Sequence, residues 1–239
     1  MLKVSTMIYP PAWGRDAQCI KKNPADAFLW DLAKRPDVLA LSFHVDYWNS
    51  ETWQDPFSSP SFSLRQRNYQ DTLATDYIYT PQVIVNGEFA APGGQRSAIE
   101  TVIENQTSAE ALLILSITSD DGSRVVVNAS DSKMVSASSL YLDVFSSSEI
   151  THIRGGENRG RTLTNVDVVR RLIKISPYDG RSATFQFSLN DLDAAPADGV
   201  AVFVQSELNG SIIAVSVLMP SARTATRLSM NAIVKPLQP

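Results

Sequence analysis

The sequence predicts an α/β first half, residues 1–107, followed by an all-β second half, residues 108–239. Three observations carry that prediction. All four tryptophans, and 14 of the 20 aromatic residues, lie before residue 90. Up to the polar segment 105–108, strand-like apolar runs alternate with segments of helical spacing. Beyond it, short apolar runs with period-two alternation are separated by turn residues. A compositional shift of this kind marks a domain boundary.

The first nine residues, MLKVSTMIY, form a candidate strand that Pro10 and Pro11 end. Asn23, Pro24 and Asp26 read as a helix start: Asn caps, Pro occupies the first turn without losing a bond, and Asp faces the positive dipole end. The helix AFLWDLAK follows, with Phe28, Leu29 and Leu32 at core spacing, and Pro36 stops it. VLALSFHV, residues 38–45, is a nearly continuous apolar run, as a strand covered on both faces requires. Residues 61–74 suggest a polar helix with Phe62, Tyr69 and Leu73 turned inward. PQVIVNGEFA then gives strand, Asn86-Gly87 turn and strand, the strongest short-range hairpin signal. Residues 97–104 close this half as a helix.

In the second half ALLILSIT (111–118) and RVVVNAS (124–130) flank the turn residues 119–122. SSLYLDVFS (138–146), THIR (151–154), VVRRLIKIS (168–176), ATFQFSL (183–189), VAVFVQSE (200–207) and SIIAVSVLM (211–219) follow. Many short strands with near-regular turns indicate an antiparallel sandwich. Arg170, Arg171 and Lys174 on one of them suggest a charged, solvated strand edge.

Composition removes several classes. With 44% hydrophobic and 19% charged residues the chain is of globular type, neither disordered nor coiled coil. No apolar run of membrane-spanning length occurs. A net charge of -4 supplies no basic face for nucleic acid. One cysteine forms no internal disulfide, and one cysteine with two histidines makes no structural zinc site. Residues 1–22 hold no apolar segment of signal-peptide type, so the expectation is a cytoplasmic, mature or altered form.

The order strand, cysteine near a helix start, strand, helix, Thr-Pro strand, N-G hairpin, helix resembles the thioredoxin fold. In that fold a redox motif opens the first helix and a cis-proline precedes the third strand; Thr80-Pro81 stands at the proline's place. More closely, NPADAFLWDLAKRPDVLALSFHVDYWNSETWQDPFSSPSFSLRQRNY, YTPQVIVNG and GENRGRTLTNVDVVR resemble DUF1223, an uncharacterised family of bacterial secreted proteins. The resemblance implies a thioredoxin-like domain followed by a β-sandwich, a periplasmic or secreted location, and a protein or peptide thiol or disulfide as partner. It implies no cofactor. Where the family usually reads C-S-S-C-P-P-A-D, this chain keeps the first cysteine as Cys19 and holds Lys22 at the second.

In a C-x-x-C pair one thiolate attacks a disulfide and the second cysteine resolves the mixed disulfide. Lys22 resolves nothing, although its ammonium beside Cys19 would favour thiolate and a monothiol chemistry. The simpler reading makes Cys19 a small packed residue in a loop. The resemblance and the residues together point to a relative of a secreted thiol–disulfide redox protein, with Cys19, Lys22, Thr80 and Pro81 at its centre. The alternative is a non-enzymatic module that binds a peptide or partner in the cleft at Thr80-Pro81, beside Tyr47, Trp48 and Trp53.

His44 and Asp46 share one strand face by period two, an acid–base or ligand pair that His152 could join. The simpler reading has them organise the strand end by hydrogen bonds. The run GGENRGR, 155–161, offers Arg159 and Arg161 to an anion, but lacks the strand–helix context of a nucleotide loop; its glycines and Glu157 fit a structural loop equally. No Ser-His-Asp order, P-loop or H-E-x-x-H occurs.

A chain with one thiol is expected to show no dithiol turnover. Lys22→Cys is expected to create measurable insulin reduction, since the new thiol restores the resolving position. Turnover by the native chain contradicts this, as does a silent variant in which no Cys19 disulfide forms.

Overall fold

A computed structural model describes residues 3–9, 24–51, 53–106, 115–119, 124–130, 132, 137–154, 159–188 and 198–219. Strand β1 (Lys3–Tyr9) lies parallel to β2 (Val38–Val45), from Lys3 opposite Val38 to Tyr9 opposite His44. Between them α1 (Pro24–Ala33) carries Pro24 and Asp26 in its first turn, as expected, and buries Phe28, Leu29 and Leu32; the expected cap, Asn23, lies outside the described residues. All eight residues of β2 are buried, so it is indeed covered on both faces.

After the short β3 (Ser58–Ser59), α2 (Pro60–Thr72) starts with Ser59 accepting from the Ser61 amide and Pro60 in the first position. Strands β4 (Gln82–Val85) and β5 (Phe89–Pro92) form the expected hairpin. Its Asn86 and Gly87 both take positive φ, 49° and 72°, as a type I′ turn requires. Helix α3 (Arg96–Asn105) then buries Ile99 and Ile103.

The remaining strands are β6 (Leu115–Ser119), β7 (Arg124–Ala129), β8 (Ser138–His152), β9 (Thr162–Tyr178), β10 (Ala183–Ser188), β11 (Gly199–Ser206) and β12 (Ile212–Leu218). Sequence segments 138–146 and 151–154 merge into the single strand β8, which keeps its pairing with β9 through two register shifts.

The expected fold class, a thioredoxin-like α/β domain followed by an antiparallel β-sandwich, is overturned. The chain is mostly strand, built on one curled mixed sheet that runs β12-β11-β8-β9-β2-β1-β4-β5, with β3 beside β2. Among the described residues three helices and a second sheet, β10-β7-β6, pack on it. The physical reason is β9. It lies parallel to β2, with Val168 opposite Ser42, and so joins strands from both sides of residue 107 in one hydrogen-bonded layer. Arg170, Arg171 and Lys174 lie on a strand that stands between β8 and β2 in the sheet order and not at its edge, although Arg171 and Lys174 are exposed as expected. Arg170 bonds Glu149 at 3.1 Å and lies over the Phe57 ring, while Lys174 pairs with Glu207.

Alternation along β2 divides the core. Val38 and Ala40 pack with α1 and α3, whereas Leu39, Leu41 and Phe43 point to the opposite face. There they meet Phe62 of α2, Phe145 of β8, Val169 of β9, Ala201 and Phe203 of β11, and Ile212 of β12. On β11, Val200, Val202 and Val204 face the other way and cover the second sheet. The large sheet therefore curls around α2. Its ends meet where the Ile212 amide donates to the Asn86 carbonyl at 2.8 Å.

That closure brings two turns together. A Cβ on Gly87 would fall 2.1 Å from the Gly210 carbonyl oxygen, and Gly87 already sits at a φ that side chains resist. Gly87→Ala is expected to lower unfolding stability by about 3 kcal/mol in denaturant titration, combining left-handed strain with a backbone clash. Gly94→Ala, where nothing lies within 4 Å of the new methyl, is expected to stay within about 0.5 kcal/mol of wild type.

Candidate functional site

The site forms where β2 ends and β4 begins. Tyr47 and Trp48 leave the end of β2 with ring centroids 5.9 Å apart. The Trp48 indole N–H donates to Thr80 Oγ1 at 3.2 Å, which fixes the tryptophan against the segment leading into β4. The Thr80–Pro81 bond is cis, as the resemblance implies. The Pro81 carbonyl accepts from the Gly93 amide at 2.9 Å. A Cβ built on Gly93 would meet Ala25 at 2.8 Å and Pro81 at 3.3 Å, so Gly93 is packed against both the first turn of α1 and the proline.

The residue that assembles this corner is Gln66 of α2, which is fully buried. Its Nε2 donates to the Tyr79 carbonyl at 2.8 Å and to Gln82 Oε1 at 2.9 Å, one on each side of the Thr80–Pro81 bond. Its Oε1 accepts from the Tyr47 hydroxyl at 2.9 Å. One amide thus holds both the aromatic ledge and the proline segment. Burial raises the Tyr47 phenol above its ordinary value, with the Gln66 bond opposing. Burial raises Tyr79 too, opposed by Gln82. Both stay neutral donors at physiological pH.

His44 and Asp46 are not brought together as a pair. Strand β2 ends at Val45, and the two side chains go to different partners. His44 Nδ1 lies 2.7 Å from Asp55 Oδ2 in the interior, where Asp55 Oδ1 also accepts from the Phe57 amide at 2.8 Å. Asp46 is bonded to Ser63 of α2 through its carboxylate and its amide. These contacts tie down the loop beyond β2. The same loop is laced by Asn49, which accepts from the Asp55 amide and donates to Ser58 Oγ. Trp53 pairs its main chain with Ser50.

His152 lies elsewhere, exposed, with its Nδ1 3.0 Å from Thr162 Oγ1 on the neighbouring strand. Arg159 and Arg161 are exposed, and Gly160 takes the positive φ expected of a structural loop, 84°. Cys19 and Lys22 lie outside the described residues, as does Glu157. Among the described residues no three His, Cys, Asp or Glu side chains are grouped to hold a metal, and no helix is long and apolar enough to cross a membrane.

Sequence reasoning missed Gln66, Ser63, Asp55 and Gln82. A signal for Gln66 was present. It lies four residues after Phe62 and three before Tyr69, on the stripe those two define.

The arrangement offers fixed aromatic faces and bonded carbonyls. The hydroxyl of Ser63 and the imidazole of His44 are both committed to carboxylates.

A family model described as a protein of unknown function, DUF1223, matches residues 17–205, and the chain belongs to that family. Comparison with curated proteins finds no match. Among solved structures, the fold is similar to the crystal structure of a protein from Agrobacterium tumefaciens determined by a structural genomics consortium. The two share 21% identity and a TM-score of 0.73, over 91% of this chain and 93% of the other.

Gln66→Leu is expected to strand the Tyr79 carbonyl, Gln82 and the Tyr47 hydroxyl, at a cost on the order of 3 kcal/mol in chemical denaturation. An unchanged midpoint would show that Gln66 does not organise the corner.

Proposed function

We propose that the chain is a non-enzymatic binding module that holds a peptide segment at the Thr80–Pro81 cleft. The observation that supports this reading is an aromatic surface left open while its polar ends are fixed. Trp48 is 36% exposed although its N–H is bonded to Thr80. Tyr77 is 66% exposed and packs against Tyr79, the residue whose carbonyl Gln66 holds. Exposed aromatics that are already ordered lose little side-chain freedom on binding, and their area then contributes to affinity nearly in full. A peptide gains apolar contact from Tyr47, Trp48 and Pro81.

A displayed random-peptide library panned against the full chain tests the reading. Enriched peptides are expected, and Trp48→Ala is expected to weaken them at least tenfold, about 1.4 kcal/mol, without loss of folding. No enrichment over an unrelated control protein, or unchanged affinity in the variant, refutes it.

The thiol reading draws support from the contact of Ala25 with the Gly93–Pro81 corner, because the chain enters α1 beside the proline six residues after Cys19. On that reading the chain descends from an exported thiol–disulfide protein and keeps the cleft after losing the second cysteine. Selective capture of a disulfide-bearing peptide through Cys19, abolished by Cys19→Ser, would favour it over binding alone.

A further inference from the structure

The interior of the curled sheet holds a polar cluster that the cleft does not use. Asp143 lies in mid-β8, level with Leu172 of β9 and Ala201 of β11, and is completely buried. It shares its face with Tyr141, whose ring stacks on Phe203 at 5.4 Å. Among the described residues neither carboxyl oxygen of Asp143 meets a hydrogen-bond donor. The charged or titratable groups that face it are Arg65 and Tyr69 from α2 and Tyr141 from its own strand. Beside it β9 and β11 present Leu172 and Ala201.

Arg65 is itself buried, its guanidinium 5.0 Å from the Tyr69 ring, 5.3 Å from Phe203 and 5.6 Å from Phe43. Its two terminal nitrogens donate to Gln205 Oε1 and to the Tyr69 hydroxyl, both at 3.0 Å. Its Nε–H is buried with no acceptor among the described residues. Gln205 passes the connection on, donating to the Gly210 carbonyl at 2.6 Å. Gly210 closes the turn, its amide donating to the Ser206 carbonyl at 3.1 Å, and two residues on the Ile212 amide donates to the Asn86 carbonyl.

We propose that Asp143 and Arg65 form a protonation-operated latch on the curl, closed while Asp143 is neutral and released when its proton passes to solvent. In the closed state the guanidinium is free to serve the neutral acceptors on Gln205 and Tyr69. Burial pushes the Asp143 carboxyl up to about 7, with the Arg65 charge opposing. Once ionised, the carboxylate attracts a guanidinium in a low-dielectric interior far more strongly than either neutral acceptor does. Arg65 turns its idle Nε–H toward Asp143 and slackens its hold on Gln205, and the Gly210 turn loosens.

The sign follows from the raised value. The stability that the proton confers is complete at acid pH, below the ordinary carboxyl range, and is lost as the pH rises to the native value near neutrality.

Backbone hydrogen exchange of the full chain at about pH 6 and about pH 8, corrected for intrinsic rates, tests the latch. The Gly210 and Ile212 amides are expected to open at least tenfold more at the higher pH, while the β1–β2 ladder keeps its protection. Asp143→Asn, which keeps the shape and removes the titration, is expected to abolish the difference. Three results overturn the proposal: equal protection at both values in the native chain, a rise shared equally by every amide, or a native pH response in Asp143→Asn. The first two need no variant, so a misfolded Asp143→Asn leaves the question decidable.

Discussion

Burying a guanidinium removes a strongly hydrated charge from water, and a protein tolerates it only where rings and acceptors replace the lost solvent. Arg65 has three rings and two acceptors around it, and they come from both sides of residue 107. Phe43 and Tyr69 belong to the first half, Phe203 and Gln205 to the second. The solvation of one charge therefore depends on the sheet having curled. Gln205 then holds the Gly210 carbonyl, Gly210 sits against Gly87, and Asn86 receives Ile212 while its Oδ1 accepts the Val4 amide. Remove the curl and the guanidinium, the two turns and the aromatic core face all lose their partners together.

The candidate site uses the same helix, through Gln66 next to Arg65. Within α2, Phe62, Arg65, Gln66 and Tyr69 turn inward over about two turns, and each does different work. Phe62 packs edge-on against Phe43, Arg65 and Tyr69 reach β11, and Gln66 reaches the proline corner. A helix of low overall hydropathy is thereby buried partly through polar side chains, Arg65, Gln66 and Tyr69, that bond to named groups of other elements or of α2 itself. Such a face is stringent, because an unmet polar group in the interior costs more than a missing methyl.

Local chemistry explains what the sequence reveals. Pro24 with Asp26, Ser59 with Pro60, and Asn86 with Gly87 each set the backbone through their own covalent and capping preferences, so these ends are readable without knowing the fold. The unbroken apolar run of β2 likewise betrays burial on both faces. Sheet order is another matter. The pairing of Ser42 with Val168 rests on packing between segments far apart in the chain, and nothing near either residue signals it. The same gap explains Arg170, whose charge reads as solvent-facing until Phe57 and Glu149 are known to lie beside it. In the cleft, Tyr47, Trp48, Thr80 and Pro81 were visible as residue types in a resembling pattern. Gln66 could be reached only by counting along the helix stripe.

The placement of β9 beside β2 also governs the order in which the molecule can be made. During synthesis β1 and β2 emerge early, and α1 and α3 can cover one of their faces from neighbouring sequence. Leu39, Leu41 and Phe43 on the other face wait for Val169, Phe203 and Ile212. Phe62 of α2 arrives promptly but covers only part of that surface. Pairings between distant segments form slowly, and apolar strands left open meanwhile are those that aggregate. A nascent chain halted before Ile212 would thus carry an aromatic strand face with no lining. The first half is the part that most needs protection on the ribosome, and the arrival of β12 ends that need.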